Sequence, residues 1–541
     1  MKKNSLFLST ALLSLLVPTL SACGKSGDYI YLRVLNSEEY IYYEDKDDNM
    51  LRLFEEYCAE ELDMNVKVIY ETFDTNETML NTLKTGKATY DLVCPSDYVI
   101  QKMISLDMIQ PFNFSHLTNY VEHCPEYLRD VFRNITATDK EGVSHTIDEF
   151  AVGYMWGTLG ILYNPTYKAF VNKGYSEEEV MEDMTDWNVL WDSKYKGTIS
   201  IKDSMRDTYS VGIMRVYDEE FRALKDQHDQ GLIDDQKYNQ ELTKIFNYCD
   251  KDTINAVEQE LLSLKNNIFG FEVDSGKEDI NTGKIGVNIA WSGDAVYAMD
   301  LGDGYTVSTT LYYSIPETGG NIWFDGWVMP KSSKLNQDLA EEFVNFISRP
   351  DMAQLNMYGV GYTPFIGGED ILEYNKMTYD IRAYYLFEYD EKEGEFVVDD
   401  DGNYVRISGR EDLTWESPEV VAYAINEGCE PIDLSYMFTN TKGEGDFSPE
   451  EMIIYPEELG RQFSAQYPTS EEIKRLAVMQ DFGENNKYVL DMWENVKTNS
   501  LPLWATILLI AEIVLAVAFI LFYFIKKTVI KNQRKNRNKA A

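Results

Sequence analysis

Carboxylates and aromatic rings recur side by side in this 541-residue chain. Glu39 precedes Tyr40, Asp294 closes the run Trp291-Ser292-Gly293-Asp294, and Asp325 lies two residues after Trp323. Asp207, Tyr98 and Tyr362 are further residues of the same two kinds. A carboxylate taken out of water demands a cation, and a ring face beside it adds roughly 0.5–2 kcal/mol of cation–π attraction. Gathered in one cleft, these residues would receive a cationic ligand. Taken singly, each acid reads as solvated surface and each ring as core, so their joint placement decides. Other chemistries are less well served. Asp45-x-Asp47-x-Asn49 with Glu56 imitates a calcium loop, but Met50 stands where the sharp turn needs glycine. Asp399–Asn403 reads as a hairpin turn rather than a metal site, and there is no phosphate-cradling glycine loop or Gly-x-Ser-x-Gly elbow. Cys58, Cys94, Cys124, Cys249 and Cys429 are scattered without a Cys-x-x-Cys pair, leaving room for one or two disulfides but no metal knuckle. No cofactor is expected. Paired carboxylates also allow a glycoside hydrolase, and 38 tyrosines allow a binder of Tyr-coordinated ferric iron.

The elements that must position these residues alternate. Segments 29–35, 65–70 and 90–94 are strand-like, whereas 50–62 and 76–85 carry apolar residues at helical spacing, among them Leu51, Phe54, Tyr57 and Cys58. This rhythm predicts a mostly parallel sheet covered by helices. Ligands of such sheets gather beyond the C-terminal strand ends, where 36–40 and 95–98 fall. A second lobe starts near Ala151, with strand-like 160–163 and 197–202 and helix-like 208–217; 285–291 and 322–329 are further strand candidates, and 339–347 and 486–497 read as helices. Residues 367–452 are acidic and Tyr-rich and read as an insertion, with a hairpin over 393–410 turning at Asp401-Gly402-Asn403.

The two ends of the chain are membrane-directed. Residues 1–22 have the layout of a secretory signal: Lys2 and Lys3, a short apolar run, then Leu20-Ser21-Ala22-Cys23. That ending resembles a bacterial lipobox, in which Cys23 is lipidated. Residues 503–525 hold one charge, Glu512, and are long enough to predict a transmembrane helix, with Trp504 and Tyr523 near its ends. Seven basic residues follow in 526–541 and place that tail in the cytoplasm, so 23–502 lies outside. The whole chain carries −42; setting aside +2 in the signal and +6 in span plus tail leaves −50 on the outer region. Such a surface repels nucleic acid and attracts cations. About 480 outer residues exceed one core, so at least two domains are expected.

Residues 68–83, V-I-Y-E-T-F-D-T-N-E-T-M-L-N-T-L, followed by Tyr90-Asp91-Leu92-Val93-Cys94-Pro95-Ser96, resemble bacterial spermidine/putrescine-binding proteins. Tyr154-Met155-Trp156-Gly157-Thr158, 190–197, 289–294, 322–325 and 346–353 (F-I-S-R-P-D-M-A) follow in that family's order. The resemblance covers roughly 29–366 and 453–497. It implies an α/β, two-lobed periplasmic-binding-protein-like fold closing on a polyamine, with ABC transporter permease subunits as partners and no enzymatic activity. In that frame 29–150 and 323–366 form lobe 1, 151–322 and 453–500 form lobe 2, and a C-terminal transmembrane helix follows. Position by position, the resemblance implies as ligand-binding residues Glu39, Tyr40, Ser96, Tyr98, Asp207, Trp291, Asp294, Trp323, Asp325, Tyr362 and Gln480. Ser37 and Ser204 depart from the spermidine branch, and Asp294 resembles the acid of the putrescine branch. The chemistry agrees: a polyamine is a chain of methylenes punctuated by ammonium groups, which suits ring faces and carboxylates respectively.

Overall fold

The computed structural model describes residues 29–498 apart from 44–48, 87, 305–309, 332–335, 391, 393, 400–401, 440–446 and 457–460. In its first lobe β1 (Ile30–Ser37), α1 (Met50–Glu61), β2 (Val66–Phe73), α2 (Asn76–Thr85), β3 (Leu92–Val93) and α3 (Asp97–Ser105) follow in the expected alternation. β1 pairs in parallel with both β2 and β3. The side chain of Asn49 accepts from the Arg52 amide and caps α1, so this residue of the calcium-like stretch serves a helix start. Thr75 caps α2, and Gly86, at φ 61°, ends it in the left-handed conformation that glycine tolerates.

Two long strands join this lobe to the second. β4 (Ala151–Tyr163) is buried along its whole length. Ala151, Val152, Tyr154, Met155 and Trp156 belong to the first core, whereas Leu159, Ile161 and Tyr163 belong to another. The second lobe continues with β5 (Ile199–Lys202), α4 (Met205–Val216), β6 (Gly270–Glu272), α5 (Gly276–Asn281), β7 (Val287–Trp291) and α6 (Ser292–Gly304). β5 pairs in parallel with β6 and β7, and β7 runs antiparallel to the second half of β4. The other long strand, β8 (Gly320–Pro330), lies antiparallel to the first half of β4, with a register shift between Asp325 and Gly326. The sheet is therefore mixed at its centre and parallel on its flanks, not mostly parallel as the alternation predicts. The strand expected at 160–163 is the tail of a thirteen-residue strand whose three glycines break its apolar pattern.

Ile371, Leu372, Leu434, Met437 and Phe438, from the stretch read as an insertion, pack on the first core. A buried Arg382–Asp380 pair at 2.6 Å anchors the same stretch. Cys58, Cys94 and Cys124 are buried thiols, and no disulfide joins the described residues.

The C-terminal part of the expected fold needs correction. Among the described residues no helix is long and apolar enough to cross a membrane. The last one, Asn486–Lys497, has 12 residues, about 18 Å at 1.5 Å per residue, against about 30 Å of hydrocarbon. It is also two-faced, burying Val489, Met492, Trp493 and Val496 against the second core. The transmembrane helix is therefore withdrawn from the fold. The stretch that carried it, 503–525, lies outside the described residues, as do the basic tail 526–541, the signal-like 1–22 and Cys23.

Gly153 of β4 supports the ring of Phe365 so closely that a Cβ there would stand 2.0 Å from it. Overpacking of this kind costs about 1–3 kcal/mol. Gly153→Ala should lower the melting temperature by several degrees in a thermal scan; an unchanged transition would mean that the strand and Phe365 separate freely.

Candidate functional site

The C-terminal ends of β1 and β3, the register shift of β8 and the first turns of α4 and α6 meet in one cleft between the lobes. Each supplies a side chain for a local reason. β1 ends in Asn36-Ser37, and the chain turns back through Glu39, which holds a positive φ of 48°. This turn buries Tyr40 while leaving Glu39 exposed. After β3, Ser96 precedes α3 and exchanges hydrogen bonds with Asn76: its amide donates at 3.2 Å and its hydroxyl accepts at 2.9 Å. Asp97, in the first turn of α3, is buried and accepts from the Phe324 amide at 3.1 Å, tying β8 to that helix. The irregularity in β8 falls beside Asp325; such bulges re-aim side chains near sites.

Asp325 is the centre of one end of the cleft. Its Oδ2 accepts from the Tyr40 hydroxyl at 2.8 Å. Its Oδ1 is buried without a hydrogen-bond partner among the described residues. Burial raises the carboxyl to about 6, although the Ser96 and Tyr40 hydroxyls favour the anion. Asp207, in the first turn of α4, is raised by burial too, against hydrogen bonds from Ser204 and Trp291. Ser204 thus serves as the cap of α4, accepting from the Asp207 amide. Glu77 accepts from the Tyr98 hydroxyl at 3.3 Å. Arg206 lies across the rings of Tyr98 and Phe482, at 4.6 and 3.7 Å. Rings line the middle: Tyr362 meets Tyr40 edge-on at 4.9 Å and Trp323 at 5.7 Å, and Trp291 stands on the opposite lobe.

The other end is built around Asp294, at the start of α6. Its Oδ1 accepts from the Tyr362 hydroxyl at 2.8 Å. Lys202, the last residue of β5, places its ammonium 2.8 Å from Oδ2, 3.1 Å from Glu272 and 4.2 Å from the centre of the Trp291 ring. Lys277 of α5 bridges Glu39, across the cleft, and Asp294 at 3.6 Å. Burial would raise the Asp294 carboxyl, but the two ammonium groups outweigh it and hold the carboxyl below its usual range.

Ten of the eleven residues expected to meet a ligand line this cleft: Glu39, Tyr40, Ser96, Tyr98, Asp207, Trp291, Asp294, Trp323, Asp325 and Tyr362. Gln480 does not. It is exposed, its amide donates to Asn247 at 2.7 Å and its carbonyl accepts from Arg206, while its neighbour Met479 reaches the cleft. The sequence reading missed Lys202, Lys277, Glu272, Asp274, Asp97 and Glu77. Lys202 left a signal, because a charged residue closes the otherwise apolar strand Ile199–Lys202; Lys277 left none.

The comparisons bear on this geometry. A family model described as bacterial extracellular solute-binding protein matches residues 52–368, more than half of the chain. A spermidine/putrescine-binding periplasmic protein of Salmonella typhimurium is 28% identical over 322 residues, covering 59% of this chain and 76% of the relative. A putrescine-binding periplasmic protein of Escherichia coli is 26% identical over 300 residues, covering 54% and 69%. The solved structure of a protein assigned to spermidine/putrescine ABC transport in Listeria monocytogenes is 22% identical and superposes with a TM-score of 0.52, covering 86% of this chain and 99% of its own; the two share the two-lobed fold.

The raised carboxyl of Asp325 has a thermodynamic consequence. Its folded value, about 6, lies above the usual 3.9 or so of an unfolded aspartate. Below about pH 4 both states hold the proton and nothing is lost. Between about pH 4 and 6 the unfolded state ionises first, so stability falls, and above about 6 the loss is constant at roughly 3 kcal/mol. Asp325→Asn, which keeps an acceptor for Tyr40, should therefore be more stable than wild type at pH 7.5 and nearly equal at pH 4. Denaturant titrations at the two pH values check this; a variant less stable at pH 7.5 contradicts it.

Proposed function

This chain belongs to the bacterial extracellular solute-binding protein family, and we propose that it captures a polyamine, putrescine or spermidine, outside the cytoplasm and delivers it to an ABC permease for import. The observation that carries the reading is Asp325: a carboxylate in the cleft with one oxygen buried and, among the described residues, without a hydrogen-bond partner, flanked by Trp323, Tyr40 and Tyr362. A ligand ammonium at Oδ1 supplies the missing hydrogen bond and the missing charge, and the ring faces take the methylenes beside it. Asp207 adds negative potential at the same end, and the acidic surface raises the local concentration of cations. The names of the relatives support the same ligand class for this chain. Cys23 is the proposed point of lipid attachment.

The alternatives fit the geometry less well. Coordination of ferric iron by tyrosine needs phenolate oxygens, but Tyr40 and Tyr362 donate to Asp325 and Asp294, and burial pushes both phenols well above their usual value. A hydrolase needs one carboxyl as acid and a second, ionised one across the scissile bond. Here Asp294, the acid held firmly ionised, is bound up with lysines.

Charge-assisted hydrogen bonds are worth about 1.5–3 kcal/mol, or roughly ten- to hundred-fold in affinity. Asp325→Asn should weaken putrescine and spermidine binding at least about ten-fold. In wild type, binding should weaken as pH falls below about 6, where the carboxyl takes up its proton. Isothermal titration of both proteins with each amine, at pH 7.5 and 5, measures this. Equal affinity in wild type and variant, or no amine bound by wild type, would sink the assignment.

A further inference from the structure

Asp294 resembles in sequence an acid that takes a ligand amine, yet the structure fills that position from within the chain. An ammonium has three hydrogens to donate. Lys202 donates to the Val273 carbonyl at 2.8 Å and to Asp294 Oδ2 at 2.8 Å, and its ammonium forms an ion pair with Glu272 Oε1 at 3.1 Å. Lys202 is thus held by three oxygens, with 1% of its side chain exposed, and has no reason to leave. Asp294 Oδ1 is taken by the Tyr362 hydroxyl and faces Lys277. Burial opposes the charge on both lysines, but Asp294 with Glu272 in one case and Asp294 with Glu39 in the other outweigh it, so both stay protonated. Of the other acids at this end, Glu272 also accepts from the Gly276 amide at 3.0 Å and from Asn288 at 3.3 Å. Glu39 is engaged by Lys277, and burial, with repulsion from Asp294, raises Asp274 to about 6 although Lys277 and Lys202 favour its charge.

The two ends of the cleft therefore differ in kind. At the Asp325 end a carboxylate oxygen awaits a donor. At the Asp294 end two ammonium groups stand among four carboxylates and are ion-paired with Asp294, Glu272 and Glu39, so a third ammonium would face two like charges and compete with them for those acids. Building on the polyamine reading, we propose that Lys202 and Lys277 close the Asp294 end to a ligand ammonium, so that the cleft prefers an amine with one free ammonium, seated at Asp325, and an uncharged, hydrogen-bond-accepting far end, such as a mono-acylated diamine. Lys277, which lines the cleft and shares its charge between Glu39 and Asp294, is the residue placed to donate to that acceptor. It is a specificity-determining residue: it removes one ammonium from the set that the acids could otherwise hold.

The test is a pair of calorimetric titrations of the full chain, with putrescine and with N-acetylputrescine, on wild type and on Lys277→Met. Wild type should bind the acetylated amine at least as tightly as putrescine. Lys277→Met should bind putrescine about ten-fold or more tighter than wild type does, with no gain for the acetylated amine. Tighter binding of putrescine than of its acetylated form by wild type overturns the inference while leaving polyamine capture standing. So does a folded Lys277→Met, checked by its melting temperature, that gains nothing for putrescine. Should the variant not fold, the order of the two amines in wild type decides alone. If wild type binds neither amine, the polyamine reading itself falls and takes this inference with it.

Discussion

The antiparallel pairing of Ala151–Tyr163 with Gly320–Pro330 is the constraint from which the rest of the molecule follows. Ala151–Tyr163 leaves the first core and enters the second while Gly320–Pro330 packs in the first, so the lobes share a central ladder while keeping separate apolar interiors. The space left between them lies beside that ladder. Its walls are set by which residues of the two strands, and of the loops abutting them, point away from the cores. The register shift at Asp325 and Gly326 falls on the same ladder. A carboxylate held by a paired strand moves little, which suits a group meant to be found by a ligand rather than to reach for one.

Charge is divided unevenly along that space. Around Asp325 the acids keep their negative potential with Arg206 nearby, which lies against the rings of Tyr98 and Phe482 and donates to a backbone carbonyl. Around Asp294, Glu272 and Glu39 as well as Asp294 itself are ion-paired with Lys202 or Lys277. A buried ion pair of this kind gains little net stability, because desolvating two charges nearly cancels their attraction. Lys202 and its acids are better understood as fixing the shape and potential of one wall than as holding the second lobe together; the apolar interior around Tyr195, Tyr209 and Val257 does that.

Much of this was legible in the sequence, and for definite reasons. The loops at 36–40 and 95–98 could be placed because parallel βαβ units put strand ends on one edge, and that edge is where Tyr40, Ser96 and Tyr98 stand. Trp323 and Asp325 were readable as a pair because they lie on one strand, two residues apart. What could not be read is whatever depends on contact across long separations. Lys202 meets Asp294 across 92 residues and Lys277 meets Glu39 across 238, and nothing in the neighbourhood of Lys277 marks it. The position of Gln480 could not be read for the same reason: the residue is exposed, and its neighbour Met479 faces the cleft. The extent of β4 was hidden because close packing against Phe365 and Trp323 demanded glycines, which break an apolar run.

The buried cysteines of the first core have a consequence for how this protein ages outside the cell. Burial pushes the thiols of Cys58 and Cys124 up to about 12 and that of Cys94 well above its usual value. At neutral pH a group with that value is ionised roughly once in a hundred thousand, and the thiolate is the form that oxidants and alkylating agents attack. Folding needs no oxidising partner to complete this core, and the finished core shields its sulfurs in surroundings where an exposed thiol would soon be lost. The same three sulfurs become reactive only when the first lobe opens, so they record the history of its unfolding as chemical damage.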